Sequence, residues 1–242
     1  MTTFTFRPQT LDFEIFNMVY FNNEYHLPDH FQPDDIIIDI GAHIGSFAYA
    51  ALIRGAEHIL SIEAHPQNYG LARIHFHEAI TMDLVDLRWG AVWRSDHHHD
   101  NLSYGDYTIW GNNLINTGNV EIHVGKHGQS IPQYALDALI QTYHPRRIRL
   151  LKLDCEGSEF PILLTASHLH QVDEIIGEFH EFGGTYDQQQ PPFHLIDNTR
   201  YTVDTLLTHL NQQGFTTTHE RHQRYENGLW IPQRTGYFRA IR

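Results

Sequence analysis

Hydrophobic residues along the chain fall into short unbroken runs separated by longer amphipathic segments, a pattern typical of α/β proteins. The clearest run is three isoleucines at 36–38, which predict a strand buried on both faces. An amphipathic segment from Ser46 to Arg54 follows, and a second apolar run occupies 58–63. Strands that alternate with helices in this way predict a mostly parallel sheet with helices on both faces.

The same pattern predicts the remaining elements of the chain. Further helices are expected over 66–79, 132–143 and 203–213. Further strands are expected within 82–93 and over 120–124, 149–154, 172–181, 215–219 and 236–241. Gly214 follows the last helix directly and is expected to end it, as glycine commonly does.

Length and the absence of a linker-like stretch predict a single domain over 1–242. A chain of 242 residues is long enough to bury a sizeable core. We expect 1–33 to form an N-terminal cap segment, 34–242 to form the core, and 95–120 to be an insertion in that core. The insertion is polar and rich in Asn and Gly, and long loops of this kind are often functional. We therefore expect it to face the substrate or to form a lid.

The first strand ends in a turn that contains two glycines. Asp39 closes the strand, and Gly41 and Gly45 follow with His43 between them. Glycine lets the backbone turn tightly and approach a ligand without a Cβ in the way. Ser46 is expected to cap the helix start, where free N–H groups favour an electron-rich ligand group. The spacing differs from the Gly-x-Gly-x-x-Gly fingerprint of dinucleotide-binding proteins.

The second strand ends in Glu63, 24 positions after Asp39. An acidic residue about 20 positions on is expected to bind ribose hydroxyls in nucleotide-binding βαβ units. Ala64 and Asn68 follow at the start of the next helix. This spacing predicts a site for a nucleoside-containing cofactor at the ends of the first two strands.

Two blocks of sequence resemble the FkbM family of S-adenosylmethionine-dependent methyltransferases. The first is Asp-Ile-Gly-Ala-His-Ile-Gly at 39–45, followed by Glu-Ala-His-Pro-Gln-Asn at 63–68. The second is Leu-Asp-Ala-Leu at 136–139, followed by Lys-Leu-Asp-Cys-Glu-Gly-Ser-Glu at 152–159. The resemblance implies the Rossmann-like class I methyltransferase fold, a seven-stranded, mostly parallel sheet of order 3-2-1-4-5-7-6. One departure is the Ala-His-Pro after Glu63, where many members have proline sooner.

The resemblance also implies S-adenosyl-L-methionine as the cofactor. Gly90 and Ala91 fall where the family places residues near the adenine, although a plain strand-end turn explains them equally well. The cofactor-binding residues are then expected at the strand ends, and they are Asp39, Gly41, Ala42, His43, Gly45, Ser46, Glu63, Ala64, Asn68, Gly90, Ala91 and Asp154.

Polar residues also end the two strands expected beside the first one. Asp154 ends the fourth strand, while Glu178 and His180 end the fifth and, two residues apart, point to the same side. Ligands of open α/β sheets bind at these carboxyl ends. Glu156 and Glu159 open the next helix, where the helix dipole favours acidic residues, so helix capping is an alternative role for them.

We predict that His180 is the general base for an alcohol acceptor, oriented by Glu178 or Asp154. A histidine bonded within the strand-end network is the alternative. The same three residues form a candidate site for Mg²⁺, Mn²⁺ or another divalent cation. Such an ion would bind a substrate diol and lower its hydroxyl pKa. The residues themselves do not decide between a base and a metal ligand.

Composition bounds the partners and the compartment. The chain has 16 Lys and Arg against 29 Asp and Glu, a net charge of −13 with His neutral, which argues against nucleic acid as a partner. One cysteine, Cys155, excludes an intrachain disulfide and favours a reducing cytoplasm. We see no signal peptide and no apolar run near 18 residues, so we expect neither secretion nor a membrane span. The His97–His99 run is expected to lie in a surface loop, and the oligomeric state stays open.

These inferences predict an S-adenosylmethionine-dependent O-methyltransferase. By resemblance, the acceptor is a hydroxyl on a small molecule, either a sugar, a glycolipid or a polyketide-type natural product. One alternative is N-methylation by the same fold, which needs no strong base. Another is a methyltransferase-like binding protein without catalysis, against which the intact Asp39, Gly41, Gly45, Glu63 and Asp154 argue.

Overall fold

The computed structural model describes residues 4–97, 102–109, 113–124, 129–181, 201–226 and 228–242. The helices are α1 (Asp12–Phe16, continued by a π-helical turn, Asn17–Phe21), α2 (Ser46–Ile53), α3 (Pro66–His75), α4 (His77–Thr81), α5 (Leu136–Thr142), α6 (Glu159–Thr165) and α7 (Val203–Gln212). The strands are β1 (Ile36–Ile40), β2 (His58–Glu63), β3 (Val85–Trp89), β4 (Ala91–Trp93), β5 (Leu102–Tyr104), β6 (Thr108–Ile109), β7 (Ile115–Asn116), β8 (Ile122–Val124), β9 (Gln133–Ala135), β10 (Leu150–Leu153), β11 (Glu174–His180), β12 (Thr216–Glu226) and β13 (Leu229–Ile241).

A seven-stranded sheet forms the centre of the fold. Its strand order is β12-β13-β11-β10-β1-β2-β3. The five strands from β11 to β3 run parallel, β13 is antiparallel to β11, and β12 is antiparallel to β13. Counting only these seven strands along the chain, the order is 3-2-1-4-5-7-6, which confirms the predicted class I methyltransferase fold.

The central strand β1 is buried on both faces, as its run of isoleucines predicts. Ile36 and Ile38 pack into one hydrophobic cluster, while Ile37 faces the opposite cluster under α2. All three side chains are fully shielded from solvent. Burying one such side chain is worth roughly 1.5–3 kcal/mol, so this strand contributes strongly to the stability of both layers.

Several predicted boundaries are wrong. The helix expected over 66–79 stops at His75, and α4 begins separately at His77. The helix expected from 132 starts only at Leu136, because 133–135 form β9 and pair in parallel with β4. The final hairpin is much longer than predicted, since the structure extends both of its strands toward the turn. Mostly exposed side chains on β12 explain why the hydrophobic pattern shows only its first residues.

The N-terminal segment and the 95–120 insertion meet at the edge of the fold. Two small antiparallel pairs lie here: β6 pairs with β7 inside the insertion, and β5 of the insertion pairs with β8, which follows it. The backbone of Ile115 exchanges hydrogen bonds with Gln9 and Leu11, each at 3.0 Å.

Most of the His97–His99 run lies outside the described residues. In the part of the chain that the structure describes, no helix is both long and apolar enough to cross a membrane.

Candidate active site

A cavity of about 470 Å³ opens at the carboxyl ends of the central strands, a size typical of ligand sites. Strand ends form its floor, and the N-terminal segment, the insertion and the hairpin of β12 and β13 contribute to the wall. The wall contains most of the residues that the sequence predicts for cofactor and catalysis, namely Gly41, His43, Glu63, Ala64, Asn68, Gly90, Ala91, Asp154, Glu178 and His180.

Four of the predicted cofactor residues are not part of the described wall, and they are Asp39, Ala42, Gly45 and Ser46. Asp39 is fully buried within the sheet rather than directed at the cavity. Its Oδ1 lies 3.1 Å from Lys152 Nζ, and its Oδ2 accepts a 3.2 Å hydrogen bond from Ser61 Oγ. The expected direct contact between Asp39 and a cofactor is therefore replaced by an internal ion pair.

The two motif glycines are required by close packing of the turn. Gly41 has φ +78°, and a Cβ there would collide with the carbonyl oxygen of Asp154. Gly45 has φ +98°, and a Cβ there would collide with the ring of Phe76. Both conformations lie in the left-handed region that favours glycine.

The predicted capping role of Ser46 is wrong. Gly45 occupies the N-cap position of α2, and no side chain caps this helix start. Ser46 is already the first helical residue, so its hydroxyl lies one position too late to accept from the free N–H groups of the first turn. The left-handed entry into the helix, which only glycine adopts easily, takes the place of a hydroxyl cap.

Glu63 lies on the cavity wall with its carboxylate already oriented. Oε2 accepts the backbone N–H of His43, and Oε1 accepts the backbone N–H of His65, both at 2.8 Å. Burial raises the pKa of Glu63 to about 7, and these hydrogen bonds oppose the rise. Oε1 also accepts a weaker 3.4 Å hydrogen bond from Asn68 Nδ2, so Oε2 is the oxygen that keeps a lone pair for a hydroxyl donor of a ribose.

Gly90 and Ala91 both line the cavity, yet Gly90 has a packing role as well. Its φ is +148°, and a Cβ would come within 2.6 Å of the carbonyl oxygen of Pro132. The same carbonyl accepts the N–H of Ala91 at 2.9 Å. The chain leading into β9 thus fills the space beside Gly90. A tight turn at the end of β3 therefore accounts for this glycine.

A polar network that the sequence did not reveal ties the N-terminal segment to the cavity. The guanidinium of Arg7 donates to Asp12 at 2.7–2.8 Å, to the hydroxyl of Tyr107 at 2.8 Å and to Asn68 Oδ1 at 2.8 Å. Asn68 in turn donates to the carbonyl of Thr117 at 2.9 Å. Residues from three separate parts of the chain therefore meet over the strand ends, and no local motif marks them.

Asp12 is the buried centre of this network. It accepts from the hydroxyl of Thr117 at 2.7 Å, and His43 Nε2 lies 2.9 Å from the same hydroxyl and 3.5 Å from Asp12 Oδ1. Burial alone raises the pKa of Asp12, but hydrogen bonds from His43, Arg7 and Thr117 outweigh it and hold the pKa well below its usual range. The carboxylate is therefore ionised, and it lies behind the described cavity wall, to which His43 and Asn68 connect the network.

The structure brings together Asp154, Glu178 and His180, whose candidate ligand atoms all lie within 4.8 Å of one another. Of the two partners predicted for His180, Glu178 lies beside the imidazole, and Glu156 and Glu159 lie closer still. Its Nε2 lies 3.3 Å from Glu156 Oε2 and 3.6 Å from Glu178 Oε1, and its Nδ1 lies 3.4 Å from Glu159 Oε1. In the described part of the chain, no ion pair or hydrogen bond joins Asp154 to this imidazole.

Asp154 is held instead by the N-terminal segment, where the hydroxyl of Tyr25 donates to its Oδ2 at 2.8 Å. Glu159 has the alternative role proposed for it, since its carboxylate accepts the N–H groups of Cys155 and Gly157 at 2.8 Å ahead of α6. Glu156 points to the imidazole of His180 and belongs to the site. Of the two acidic residues after Asp154, Glu159 therefore caps α6 and Glu156 lies in the candidate site.

The environment of His180 favours its protonated form. Burial by itself lowers the pKa of His180, but the carboxylates of Glu156, Glu159 and Glu178 outweigh it and raise the pKa well above its ordinary value. Burial raises the pKa of Glu156 to about 7, and the charge of His180 opposes that rise. In the free protein the imidazole therefore carries a proton, which it must lose before it can act as a base.

Two further wall residues come from parts of the sequence that resembled nothing specific. The hydroxyl of Tyr237 donates to Glu24 Oε2 at 2.7 Å, although 213 positions separate them. Burial raises the pKa of Glu24 to about 7. The described wall contains no Lys or Arg, and its acidic residues are Glu14, Glu24, Glu63, Asp154, Glu156 and Glu178. This composition favours a neutral or cationic ligand over an anionic one.

The strand order and the cavity at the carboxyl ends define a class I methyltransferase, the fold in which S-adenosylmethionine is bound. The model of the methyltransferase FkbM domain matches residues 39–217, and the chain belongs to this family of methyltransferases. No curated protein matches the chain.

Solved structures with similar folds have low sequence identity to the chain. The FkbM methyltransferase of Methylobacillus flagellatus KT is 14% identical, with a TM-score of 0.47, over 94% of this chain and 48% of that one. The precorrin-6y C5,15-methyltransferase of Geobacter metallireducens GS-15 is 11% identical, with a TM-score of 0.46, over 98% and 92%. TrmK of M. capricolum, bound to S-adenosylhomocysteine, is 8% identical, with a TM-score of 0.45, over 86% and 62%. The family assignment rests on the domain match.

Proposed function

We propose that the protein transfers the methyl group of S-adenosylmethionine to a hydroxyl oxygen of a small molecule, either a sugar, a glycolipid or a polyketide-type natural product. One observation carries the proposal. The cavity holds Glu63 and the glycine turn at the ends of β1 and β2, and it holds Asp154, Glu178 and His180 at the ends of β10 and β11. Cofactor and acceptor would meet where these two groups of residues face the same space.

Methyl transfer asks the protein mainly for alignment, because the sulfonium is already a strong electrophile. The enzyme must place the acceptor oxygen in line with the methyl carbon and the sulfur, and must exclude water. In this proposal, Glu63 receives the ribose and Gly41 lets the methionine portion lie against the backbone. The N-terminal segment, through Leu11, Ile15 and Met18, supplies apolar cover over the same cavity.

An alcohol acceptor must also lose its proton, and the cluster around His180 offers two routes. In the first, the imidazole passes its proton to Glu156, whose Oε2 is 3.3 Å from Nε2, and then accepts the acceptor's proton. In the second, Glu178 takes the acceptor's proton directly, while the imidazolium of His180 holds the Glu178 carboxylate in place. The first route is the prediction made for His180, with Glu156 added as its partner.

A divalent cation is the other role proposed for the cluster. Two carboxylates and one imidazole fit the donor preferences of Mg²⁺ or Mn²⁺, and Asp154, Glu178 and His180 are close enough to share one ion. When bound, such an ion would hold an acceptor diol and lower its hydroxyl pKa. Metal dependence therefore points to an acceptor with two neighbouring hydroxyls.

N-methylation is a second candidate, favoured by the charge of the cavity. Six carboxylates line the described wall, and no Lys or Arg does. An amine acceptor would be attracted to this wall, and once neutral it would need no strong base. Nucleic acid as an acceptor stays disfavoured by the net charge of −13, and Cys155 as the one cysteine keeps the reducing cytoplasm as the proposed compartment.

The test is a screen of hydroxyl and amine acceptors with S-adenosylmethionine, read as formation of S-adenosylhomocysteine, with Mg²⁺ and with a chelator. For a hydroxyl acceptor, His180→Ala should lower turnover by about 100-fold or more while S-adenosylhomocysteine still binds normally. The exposed His219 provides a matched control, and His219→Ala should be unaffected. If His180→Ala turned over a hydroxyl acceptor within a few-fold of the native rate, His180 would be neither the base nor a required metal ligand. If His180→Ala still methylated an amine acceptor, N-methylation would be favoured.

A further inference from the structure

Three polar side chains form a row across the buried middle of the sheet. Ser61 on β2 and Lys152 on β10 are both register partners of Asp39 on β1. All three are almost completely shielded from solvent. The carboxylate of Asp39 lies between its neighbours, 3.2 Å from Ser61 Oγ and 3.1 Å from Lys152 Nζ.

Stability alone does not explain this row. The desolvation cost of a buried ion pair offsets much of its attraction, and apolar side chains of similar volume at such positions are often at least as stabilising. Asp39 and Lys152 share their face of the sheet with the buried Ile37 and Leu150, so an apolar pair would suit the surroundings. The ammonium group must therefore be understood through its other contacts.

Lys152 Nζ reaches past Asp39 to the glycine turn. It donates to the carbonyl oxygen of Gly41 at 2.8 Å and lies 3.4 Å from that of Ile40. The N–H of the same peptide unit, on Ala42, donates to the carbonyl of Ile62 at 3.0 Å. The peptide plane between Gly41 and Ala42 is thus held at both ends, and at a glycine such a plane would otherwise rotate easily.

This fixed plane connects to the predicted ribose acceptor. The next N–H along the chain belongs to His43 and donates to Glu63 Oε2 at 2.8 Å. Lys152 itself is not part of the described cavity wall, whereas Gly41, His43 and Glu63 are. The rings of Tyr25 and Phe47 lie 5.6 Å and 5.7 Å from Nζ.

We propose that Lys152 is a positioning residue for S-adenosylmethionine, which holds the Gly41 carbonyl and thereby fixes the turn that presents Gly41 and Glu63 to the cofactor. The inference rests on the cofactor site of the proposed function and extends it to a residue outside the cavity. Ser61 belongs to the same buried row and contacts Asp39 without touching the turn, so it provides a matched control.

The test is calorimetric titration of the full chain with S-adenosylhomocysteine, together with the thermal unfolding midpoint of each variant. Lys152→Met should weaken binding by about tenfold or more and also lower the midpoint, because Asp39 is left as an unpaired buried charge. Ser61→Ala should lower the midpoint and leave the affinity within about threefold, a shift well below 1 kcal/mol. If Lys152 served only the stability of the fold, Lys152→Met would behave like Ser61→Ala, with a lower midpoint and an affinity within about threefold of native.

The double variant Asp39→Asn with Lys152→Met separates a loss of stability from a loss of cofactor positioning. It also replaces Lys152→Met as the test variant if Lys152→Met does not fold. Removing both charges should restore the midpoint while the affinity stays about tenfold weaker than native. Asp39→Asn alone keeps an amine on Gly41 and should bind at least about fivefold more tightly than the double variant. Native affinity in the double variant would overturn the inference, whereas a folded native chain that binds no S-adenosylhomocysteine would instead overturn the cofactor assignment.

Discussion

Glu63 shows how a single side chain is prepared for its ligand. Two backbone N–H groups, those of His43 and His65, hold the two oxygens before any cofactor is present. This pre-organisation reduces the entropy that binding has to overcome. Burial nevertheless raises the pKa of Glu63 to about 7, so its charge changes within the physiological range.

Cofactor affinity should therefore depend on pH through Glu63. Ribose hydroxyls donate best to the ionised carboxylate, so binding favours the form without the proton, and affinity should rise as the pH increases from about 6 to 8. Calorimetric titration with S-adenosylhomocysteine across this range measures the effect. Glu63→Gln keeps the shape and removes the titration, and it should bind more weakly with a flatter profile. An equally steep profile in Glu63→Gln would assign the dependence to another group.

At the scale of elements, the N-terminal segment and the insertion act as one roof. Neighbours such as Ile15 and Asn116 line the cavity, and Arg7, Asp12, Tyr107 and Thr117 tie the two segments together behind them. These residues hydrogen-bond to one another and, through Asn68, to the start of α3. Asp12 is ionised and buried at the centre, because its partners hold its pKa well below the usual range. Closure of the cavity thus depends on a few polar contacts between distant parts of the chain.

Thr117→Val should loosen this roof. The substitution conserves shape but removes the hydroxyl that donates to Asp12 and contacts His43, which should cost about 1–3 kcal/mol of unfolding free energy. Affinity for S-adenosylhomocysteine should fall as well, because the roof covers the cavity. Urea unfolding and calorimetric titration measure the two effects. Thr108→Val, on an exposed strand of the same insertion, is the control and should change neither.

The sequence predicts elements well where burial determines the pattern and poorly where pairing does. The isoleucines of β1 show its position because both of its faces are covered. The strand β9 is not visible, because its residues are only half-buried and are ordered by pairing with β4. The long hairpin is under-predicted for the same reason, since most side chains of β12 are exposed.

The site is predictable only as far as strand ends and motifs define it. Asp154, Glu178 and His180 were expected together because parallel strands place their carboxyl ends at one edge. Glu156 and Glu24 were not, since helix capping offered an alternative role for the first and the second lies in the N-terminal segment. The burial of Asp39 was also missed, because a motif position does not reveal which way a side chain faces.

At the scale of the whole molecule, pH should affect stability through buried histidines as well as carboxylates. His65 stacks on Tyr107, with ring centroids 4.1 Å apart. Burial, followed by the charge of Arg7, lowers the pKa of His65 to about 4. The unfolded chain binds a proton on this residue near its ordinary pKa of about 6.5, so the unfolded state is favoured as the pH falls below that value.

The thermal unfolding midpoint should therefore decrease as the pH falls from about 6.5 to about 4, and part of that decrease should be absent in His65→Gln. The exposed His58 serves as the control, and His58→Gln should follow the native curve. Calorimetric or fluorescence melts at several pH values give the comparison. A native-like slope in His65→Gln would contradict the assignment to this histidine.

The central claim is that the cavity between Glu63 and Asp154 binds S-adenosylmethionine. Calorimetric titration of the full chain with S-adenosylhomocysteine tests it most directly, beside Glu63→Ala measured in the same way. We expect saturable binding at one site with micromolar affinity, weakened about tenfold or more in the variant, a loss of about 1.4 kcal/mol. A folded native chain that shows no binding, or a variant that binds as tightly as the native chain, would contradict it.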